Sequence, residues 1–541
     1  MTLLLALIFW PLLGAVVVAW LRADERVAKP TALGFSLVEL ALAVAAWLAY
    51  DPAGPRLQLT SSADWIPPFG IRFSFGADGI ALVMIAVIAL LVPLVIGFSW
   101  AERLPNDRTR GGFFGLLLVQ QSVTVAVFAA TDLFLFYVLF ELMLVPMYFL
   151  VGGYGGARRQ YAAVKFFLYS FLGGLIMLAA AIGAYAYSAE VTGRGTFDWE
   201  VLRGVLATAP TEVQVWIFLG FFLAFAIKAP LIPFHSWLPD AAEQAPIGVA
   251  VLVVGVLDKV GTFGFLRYSL PLTPEASRLL APLVLVLGVV GVLYGSLQAF
   301  GQSSLKRFVA YVSIAHFGFI ALGIFAFTSR SIAGSVSYML NHSIATGLLI
   351  LVLGMVIVRG GSDRIADYGG MAKATPVLAG MLLVAGLSTL SLPGTNSFVS
   401  EFLVLLGSFE TRPVYAVLAT LGMVLAAVYV LSLYQRVMQG PMRGDALVGA
   451  TGGPGAATDP NSAATAANSA RSGGSRRLRI TDLDAREIAV VAPLVVLVVA
   501  LGVYPKPVLD VISPSVGATM SEVGVVDPAA SQGDIEFGGE Q

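Results

Sequence analysis

The chain has 541 residues, 58% of them hydrophobic and 12% charged, with 32 Lys and Arg against 33 Asp and Glu and a mean hydropathy of +0.86. A soluble chain with so few charges could not cover its surface with polar groups, and a net charge of −1 offers no basic face for nucleic acid. With no cysteine, the chain cannot hold a disulfide, a thiolate-bound iron–sulfur cluster or a Cys-attached haem, and three histidines are few for a metal cluster.

Apolar runs of about 20 residues, each long enough to cross roughly 30 Å of hydrocarbon, recur along the chain. The first, 2–21, lacks a basic flank and outlasts the apolar core of a signal peptide, so it reads as a retained helix. In chain order the pattern predicts fourteen spans, near 2–21, 30–50, 79–100, 112–130, 132–153, 161–187, 213–234, 245–268, 276–300, 306–328, 331–358, 376–408, 412–435 and 486–504. The fold class is therefore an all-α, polytopic integral membrane protein, with both ends on one side because fourteen is even.

Lys and Arg bias sets the side. Loops after odd-numbered spans carry Arg22, Arg26 and Lys29; Arg103, Arg108 and Arg110; Arg158 and Arg159; Lys306 and Arg307; Arg359, Arg364 and Lys373. The long loops after even-numbered spans, 51–78 and 188–212, carry only Arg56, Arg72, Arg194 and Arg203. Odd-span loops are expected to be cytoplasmic, with both termini outside. The loop after span seven breaks the trend, with no Lys or Arg between Pro233 and Pro246. Residues 441–479 are rich in Gly, Ala, Ser and Pro and poor in large apolar residues, which predicts a flexible cytoplasmic linker. The alternative is a tail that binds a partner through its basic end, Arg476, Arg477 and Arg479.

Four ionisable residues fall deep in apolar spans: Glu141, Lys228, Lys259 and Glu401. Each costs about 2.5–3.5 kcal/mol at a helix centre, which calls for pairing or hydration, and for a function that justifies it. The bland reading is a set of ion pairs that fix helix register. Lys228 lies in FAIKAPLIPFHSWLPDA (225–241), where Pro230 and Pro233 interrupt the helix and should leave the carbonyls of Ala226 and Ala229 without partners. Such backbone is tolerated at membrane depth only where protein or water satisfies it. In SLPGTNSFVSEFLVLLGSF (391–409), Pro393 and Gly394 break span twelve ahead of Glu401. Two broken helices, each with a deep charge, suggest inverted repeats that pair spans four to eight with nine to thirteen. The expected organisation is N-terminal helices in 1–111, a first repeat in 112–268, a second in 275–440, the linker at 441–479, and a last span with an external tail in 480–541.

Asp258 precedes Lys259, and helix neighbours point about 100° apart, so the two need not bridge. His316 and His342 fall inside spans ten and eleven. A lone membrane histidine is usually a satisfied hydrogen-bonding residue, but these two lie in sequence between Lys259 and Glu401, and an imidazole exchanges protons near neutral pH. His235, beside the first break, reads equally as a helix cap or a relay.

FELMLVPMYFL (140–150), KFFLYSFLGG (165–174), KAPLIPFHSWLPDA (228–241) and LPGTNSFVSEF (392–402) together resemble the antiporter-like subunit M of bacterial NADH–quinone oxidoreductase, respiratory complex I, counterpart of the fourth core membrane subunit in mitochondria. The resemblance runs from about 70 to 440 and resumes in the last span. It implies two inverted five-helix repeats, each with a discontinuous helix, that form a proton channel in a multi-pass protein of the bacterial cell membrane. It also implies roles: Glu141 as the partner that tunes Lys228, Lys228 as the switching lysine, and Lys259 as a connecting residue. His316 and His342 would join the hydrated axis, with Glu401 in the second broken helix. No cofactor or metal is expected in this chain; NADH, FMN, iron–sulfur clusters and quinone would belong to other subunits. The expected partners are other complex I membrane subunits, especially the sister subunits L and N, together with the lipid bilayer. Asp258, where the family usually has an apolar residue, Ser304, where an acid is common, and the 441–479 insertion depart from the pattern.

The leading reading is a proton-translocating subunit of a redox-driven pump. In it a change arriving from a neighbouring subunit separates or joins Glu141 and Lys228, and loss of the carboxylate weakens the desolvated lysine's hold on its proton. A secondary cation/proton antiporter subunit shares the fold and the lysines, and a structural anchor would tolerate neutral residues at the deep positions.

Overall fold

The computed structural model describes residues 3–22, 24–102, 104, 110–442 and 480–528. Arg103, Arg108 and nearly all of the expected linker, with its basic end, lie outside the described residues.

Thirteen described helical stretches are long and apolar enough to cross a membrane. In chain order the first are α1 (Leu3–Trp20), α2 (Glu25–Ala49), α3 (Gly79–Ser99) and α4 (Arg110–Ala129). The fifth crossing is α5 (Leu133–Leu142) followed at once by α6 (Leu144–Tyr154). Then come α7 (Arg159–Thr192), the short surface helix α8 (Trp199–Leu206), α9 (Thr211–Lys228) and α10 (Trp237–Gln244). Next is one rod made of α11 (Ile247–Leu252), α12 (Lys259–Gly264) and α13 (Leu270–Leu272), joined through π-helical turns at Val253–Leu257 and Phe265–Ser269. α14 (Pro274–Phe300), α15 (Leu305–Phe325) and α16 (Ser329–Gly360) follow. The predicted span twelve is two half-helices, α17 (Pro376–Thr389) and α18 (Asn396–Thr411), each too short to count among the thirteen. The last spans are α19 (Pro413–Met438) and α20 (Ala485–Val503).

Two features depart from the fourteen-span expectation. The loop at 51–78 contains an antiparallel hairpin, β1 (Gln58–Ile66) and β2 (Ile71–Ala77), in which Ser62 pairs with Ser74 and Ala63 with Phe73. The segment expected as an external tail begins with a further helix, α21 (Lys506–Val523). Its composition is too polar for a span, and it lies across the end of the bundle instead. There Glu522 pairs with Arg56 and, at 2.7 Å, with Arg203, while Arg278 donates to the Val523 carbonyl at 2.9 Å.

That end of the bundle also holds a buried ion pair. Arg267 and Asp78 are 2.7 Å apart, and both side chains are 1% exposed. Asp78 accepts from the Ala81 amide as the N-cap of α3, and the Trp199 ring stands within 5.0–5.4 Å of the guanidinium groups of Arg56, Arg203 and Arg267. Gly79, next to Asp78, brings α3 and α21 into backbone contact: its amide donates to Ser515 at 3.0 Å, and a Cβ there would lie 1.9 Å from the Val511 carbonyl oxygen.

Gly79→Ala should therefore push α21 off the end of α3 at a cost of about 1–3 kcal/mol, since the opposing atom is backbone and cannot rotate away. Limited proteolysis of the protein in isolated membranes checks this. Cleavage within 504–528 is expected to speed up in the variant, and rates equal to wild type would contradict the contact.

Candidate functional site

At the first break α9 ends at Lys228, and the chain turns through 229–236 before α10. The expectation of a free Ala226 carbonyl is corrected: it accepts from the Leu231 amide at 2.9 Å, a bond one residue longer than the helical one. The Ile227 carbonyl accepts from Trp237 Nε1 at 2.7 Å, so the break is closed by protein. What is left unmet is the lysine. Lys228 is fully buried, its ammonium has no hydrogen-bond partner, and it stands 4.9 Å from the Phe140 ring centre and 5.4 Å from that of Phe166. Desolvated cation–π contacts of this kind contribute about 2 kcal/mol, too little to replace a hydration shell.

Glu141, one residue before the end of α5, presents its carboxylate to the same region, and neither of its buried oxygens has a hydrogen-bond partner. Its charge acts on Lys228, as does that of Asp258, although no contact ion pair forms between Glu141 and Lys228. Room for the carboxylate comes from Gly174 of α7, where a Cβ would lie 1.5 Å from Glu141 Oε1. Leu142 and Val145 beside it are 44% and 43% exposed, so Glu141 stands at a flank of the bundle rather than at its centre.

Lys259 is the next group inward, and it is fully connected. Its ammonium donates to the Val254 carbonyl at 2.7 Å and to Asp258 Oδ1 at 3.0 Å, and lies 2.6 Å from His342 Nδ1. Asp258 and Lys259 thus do bridge, because the ammonium folds back along its own helix toward the π-helical turn. Ser343 donates to the Gly255 carbonyl of the same turn at 2.5 Å. From His342 the sequence of contacts continues. The His342 and His316 rings are 5.3 Å apart and perpendicular, and the His316 and Tyr338 rings are 5.6 Å apart. The Tyr338 hydroxyl donates to Glu401 Oε2 at 3.1 Å, and the Ser391 hydroxyl donates to the same oxygen. Ser391, in the second break, has φ of +59°, a left-handed conformation that aims its side chain back at Glu401. Asn341 and Asn396 clamp this break reciprocally: Asn341 Nδ2 donates to the Asn396 carbonyl at 3.0 Å, and Asn396 Nδ2 donates to the Asn341 carbonyl at 3.1 Å.

The structure thus brings Lys259, His342, His316 and Glu401 into one buried row, with Glu141 and Lys228 approaching it from the flank. His235 is left out. Its carbonyl accepts from the Leu238 amide at the start of α10 at 3.0 Å, while its ring lies edge-on to Tyr294 at 5.2 Å and joins no member of the row. Tyr338, Ser391 and the asparagine clamp are not apparent from residue type alone. Tyr338 does stand four residues before His342 on one helix face, which is a readable signal. Glu39, fully buried on α2, shows the same mark as the other deep acids, an ionisable residue inside an apolar run. Among the described residues no group of three or more His, Asp or Glu could hold a metal ion.

A second network ties down the end of the bundle near the first break. Asp240 of α10 pairs with Lys165 at 2.7 Å and Arg307 at 2.7 Å, and Glu243 pairs with Arg158 at 3.1 Å and Arg307 at 3.3 Å. Lys306 donates to the Glu243 and Ala245 carbonyls, at 2.9 Å each. Burial alone would raise the Asp240 carboxyl, but its hydrogen bonds from Lys165 and Arg307 bring it below the ordinary carboxylate value. Asp240 is a fixed anion. Ser304 caps α15 by accepting from the Arg307 amide at 3.3 Å and donates to Asp363 at 3.0 Å, so an acid does stand there, supplied from another loop.

The family model for NADH:quinone oxidoreductase/Mrp antiporter transmembrane proteins matches residues 130–426, a stretch that contains all six deep and histidine positions of the row and its flank. NADH-quinone oxidoreductase subunit M of Mycobacterium tuberculosis H37Rv is 43% identical, over 96% of this chain and 94% of that protein. The chain belongs to the NADH-quinone oxidoreductase subunit M family. Subunit M of Rhodobacter capsulatus is 36% identical over 94% of both chains, and NADH-ubiquinone oxidoreductase chain 4 of Arabidopsis thaliana is 34% identical over 94% of this chain and 95% of its own. Among solved structures, a chain of respiratory complex I from Thermus thermophilus with bound NADH superposes with a TM-score of 0.81 at 29% identity, covering 96% of this chain and 100% of its own. A chain of the Mrp complex from Dietzia sp. DQ12-45-1b gives a TM-score of 0.81 at 22% identity, over 97% of this chain and 100% of its own, which shows a shared fold.

Gly174 supplies a test of the subunit M site that leaves every charge in place. Gly174→Ala puts a methyl group where Glu141 Oε1 now lies, so the carboxylate must turn away from Lys228. NADH-driven acidification of inverted membranes, at matched complex content, should fall as far as in Glu141→Gln. Acidification at the wild-type rate would show that the position of the carboxylate is not critical.

Proposed function

We propose that this chain conducts protons across the membrane as a subunit of a redox-driven NADH–quinone oxidoreductase, and that the row Lys259–His342–His316–Tyr338–Glu401 is its conducting path. The observation that carries this reading is the order of that row: five buried polar side chains in succession, at 2.6 and 3.1 Å between polar atoms at its two ends and at ring-centre separations of 5.3 and 5.6 Å in the middle. NADH oxidation and quinone reduction, with FMN and the iron–sulfur clusters, belong to other subunits, as do the sister subunits L and N against which this one would pack. The Lys and Arg bias puts the Asp240–Glu243 end in the cytoplasm and both termini outside. The first and second repeats, 112–268 and 275–440, each contribute one of the breaks.

In this reading Glu141 receives the signal. It stands at the flank, where a neighbouring subunit can reach it, and it has no bond of its own to hold it. With the carboxylate charged and facing inward, the ammonium form of Lys228 is favoured; when the carboxylate turns away or takes up a proton, that support is lost. The proton leaves Lys228 for the Asp258–Lys259 pair, in which the Lys259 ammonium lies 3.0 Å from Asp258 Oδ1. Lys259 passes a proton to His342 Nδ1, and its amine then accepts the next from Asp258. Transfer through His316 and the Tyr338 hydroxyl ends with Glu401 protonated, a neutral acid that a low-dielectric site holds at little cost.

Lys228→Ala should assemble yet lose most NADH-driven proton pumping, with quinone reductase activity falling in step. Near-normal acidification would overturn the role of Lys228. Sodium movement driven by a pH gradient in the absence of NADH would instead favour an antiporter.

Glu401 tests the far end. Its two donors, Tyr338 and Ser391, stabilise an anion, so Glu401→Asp should retain much of the pumping, Glu401→Gln and Glu401→Ala should lose it, and Glu401→Lys should be worse than Asp. Equal pumping by the Gln and Asp variants, measured in inverted membranes, would make Glu401 a hydrogen-bonding spacer.

A further inference from the structure

A buried acid without a hydrogen-bond partner lies outside the row. Glu39 of α2 is 0% exposed, and neither carboxyl oxygen has a hydrogen-bond partner. It lies outside the stretch 130–426 that the family model matches. Its height is fixed by contacts among α1, α2 and α4. Trp10 Nε1 donates to the Phe35 carbonyl at 3.1 Å, and a Cβ on Gly14 would lie 2.6 Å from the Phe35 ring, so Phe35 stands level with the middle of α1. Glu39 is one turn, about 5.4 Å, farther along α2. The antiparallel α1 reaches that height near Ile8, whose carbonyl accepts from Ser122 of α4 at 2.6 Å. Gln120 and Gln121 precede Ser122.

Both amides are themselves short of partners. Gln121 is 0% exposed with neither Oε1 nor Nε2 bonded, and Gln120 is 2% exposed, with Nε2 donating to Thr124 at 2.9 Å and Oε1 unbonded. A carboxyl and two amides, buried on packed helices at about the same height, leave five unmet polar atoms. Leaving a buried polar group unmet costs about 1–3 kcal/mol apiece, whereas a water molecule needs only two to four such partners to be retained.

We infer that Glu39, Gln120 and Gln121 form a second proton-binding site, in the N-terminal helices, where the Glu39 carboxyl carries an exchangeable proton and the amides hold water beside it. No lysine, arginine or histidine is bonded to Glu39, and an ionised carboxylate with no donor at this depth would cost several kcal/mol. The proton removes that cost, and the amide-bound water gives it a route of exchange. α4 links this layer to the row, because Phe128 at its far end packs edge-on against Phe263 of the helix that carries Lys259, at 5.2 Å.

The test uses the intact complex in native membranes. The infrared C=O stretch of a protonated carboxyl should be present in wild type, absent in Glu39→Gln, and displaced to lower frequency by transfer to D₂O. Gln121→Leu should retain the band and slow its displacement. Dicyclohexylcarbodiimide provides an independent reading on the wild-type complex, so the outcome does not depend on the variants assembling. The O–H of a protonated carboxyl adds across the N=C=N bond, and the acyl group then migrates to nitrogen as a stable N-acylurea, with no atom lost. Mass spectrometry should find this adduct on Glu39. Spectra identical in wild type and Glu39→Gln, or a failure of Glu39 to react while Glu401 does, would overturn the site. A band that D₂O never displaces would also overturn it, since the acid would then be dry and its proton fixed.

Discussion

In hydrocarbon no solvent meets an unpaired backbone group or a bare charge, and this constraint governs nearly every local feature of the molecule. Continuous helices meet it without help. Where the helix is interrupted, a named side chain takes over: Trp237 at the first break, Ser343 and Lys259 at the π-helical turn, and the Asn341–Asn396 pair at the second break. Each repair requires a polar side chain at mid-membrane. Of these residues Lys259 also belongs to the polar row, and the asparagine pair clamps the break beside which Glu401 stands.

The charges divide into two populations. At the bundle ends they are locked in multiple contacts, as in the Asp240–Lys165–Arg307 group, and burial there is offset by several partners at once. Lys228 is fully buried and Glu141 half-buried, and neither side chain has a hydrogen-bond partner. An acid paired with two cations at once, as Asp240 is, is held in one state. One with none changes its state or position at little further cost, which is what a switch requires. The end network also explains why the loop after span seven has no Lys or Arg: it supplies the acids, and its cations arrive from α7 and α15.

Much of this was legible in the sequence, for reasons that can be named. Hydropathy over some 20 residues reports the bilayer directly, so the spans are readable. Proline and glycine next to a deep charge mark both breaks, at 230–233 and 393–394. Contacts between distant residues are not readable in this way. Nothing local distinguishes Gly174 as the space Glu141 occupies, or α21 as a helix laid across the bundle end. The hairpin at 58–77 is too short and polar to compete with the hydropathy signal around it. The Asp258–Lys259 bridge depended on a widened turn that side-chain spacing on a regular helix does not anticipate.

The bond between the Gly79 amide and Ser515 joins residues 436 positions apart. At roughly 5–20 residues per second, a ribosome needs on the order of tens of seconds to travel between them. Throughout that interval the start of α3 stands in the membrane without its cover, while Arg267, made much earlier, can already reach Asp78. The buried ion pair can thus hold this corner of the nascent bundle in shape until the final helix arrives. Biogenesis would then proceed from charge to packing: electrostatics fixes the arrangement first, and the late C-terminal segment seals it.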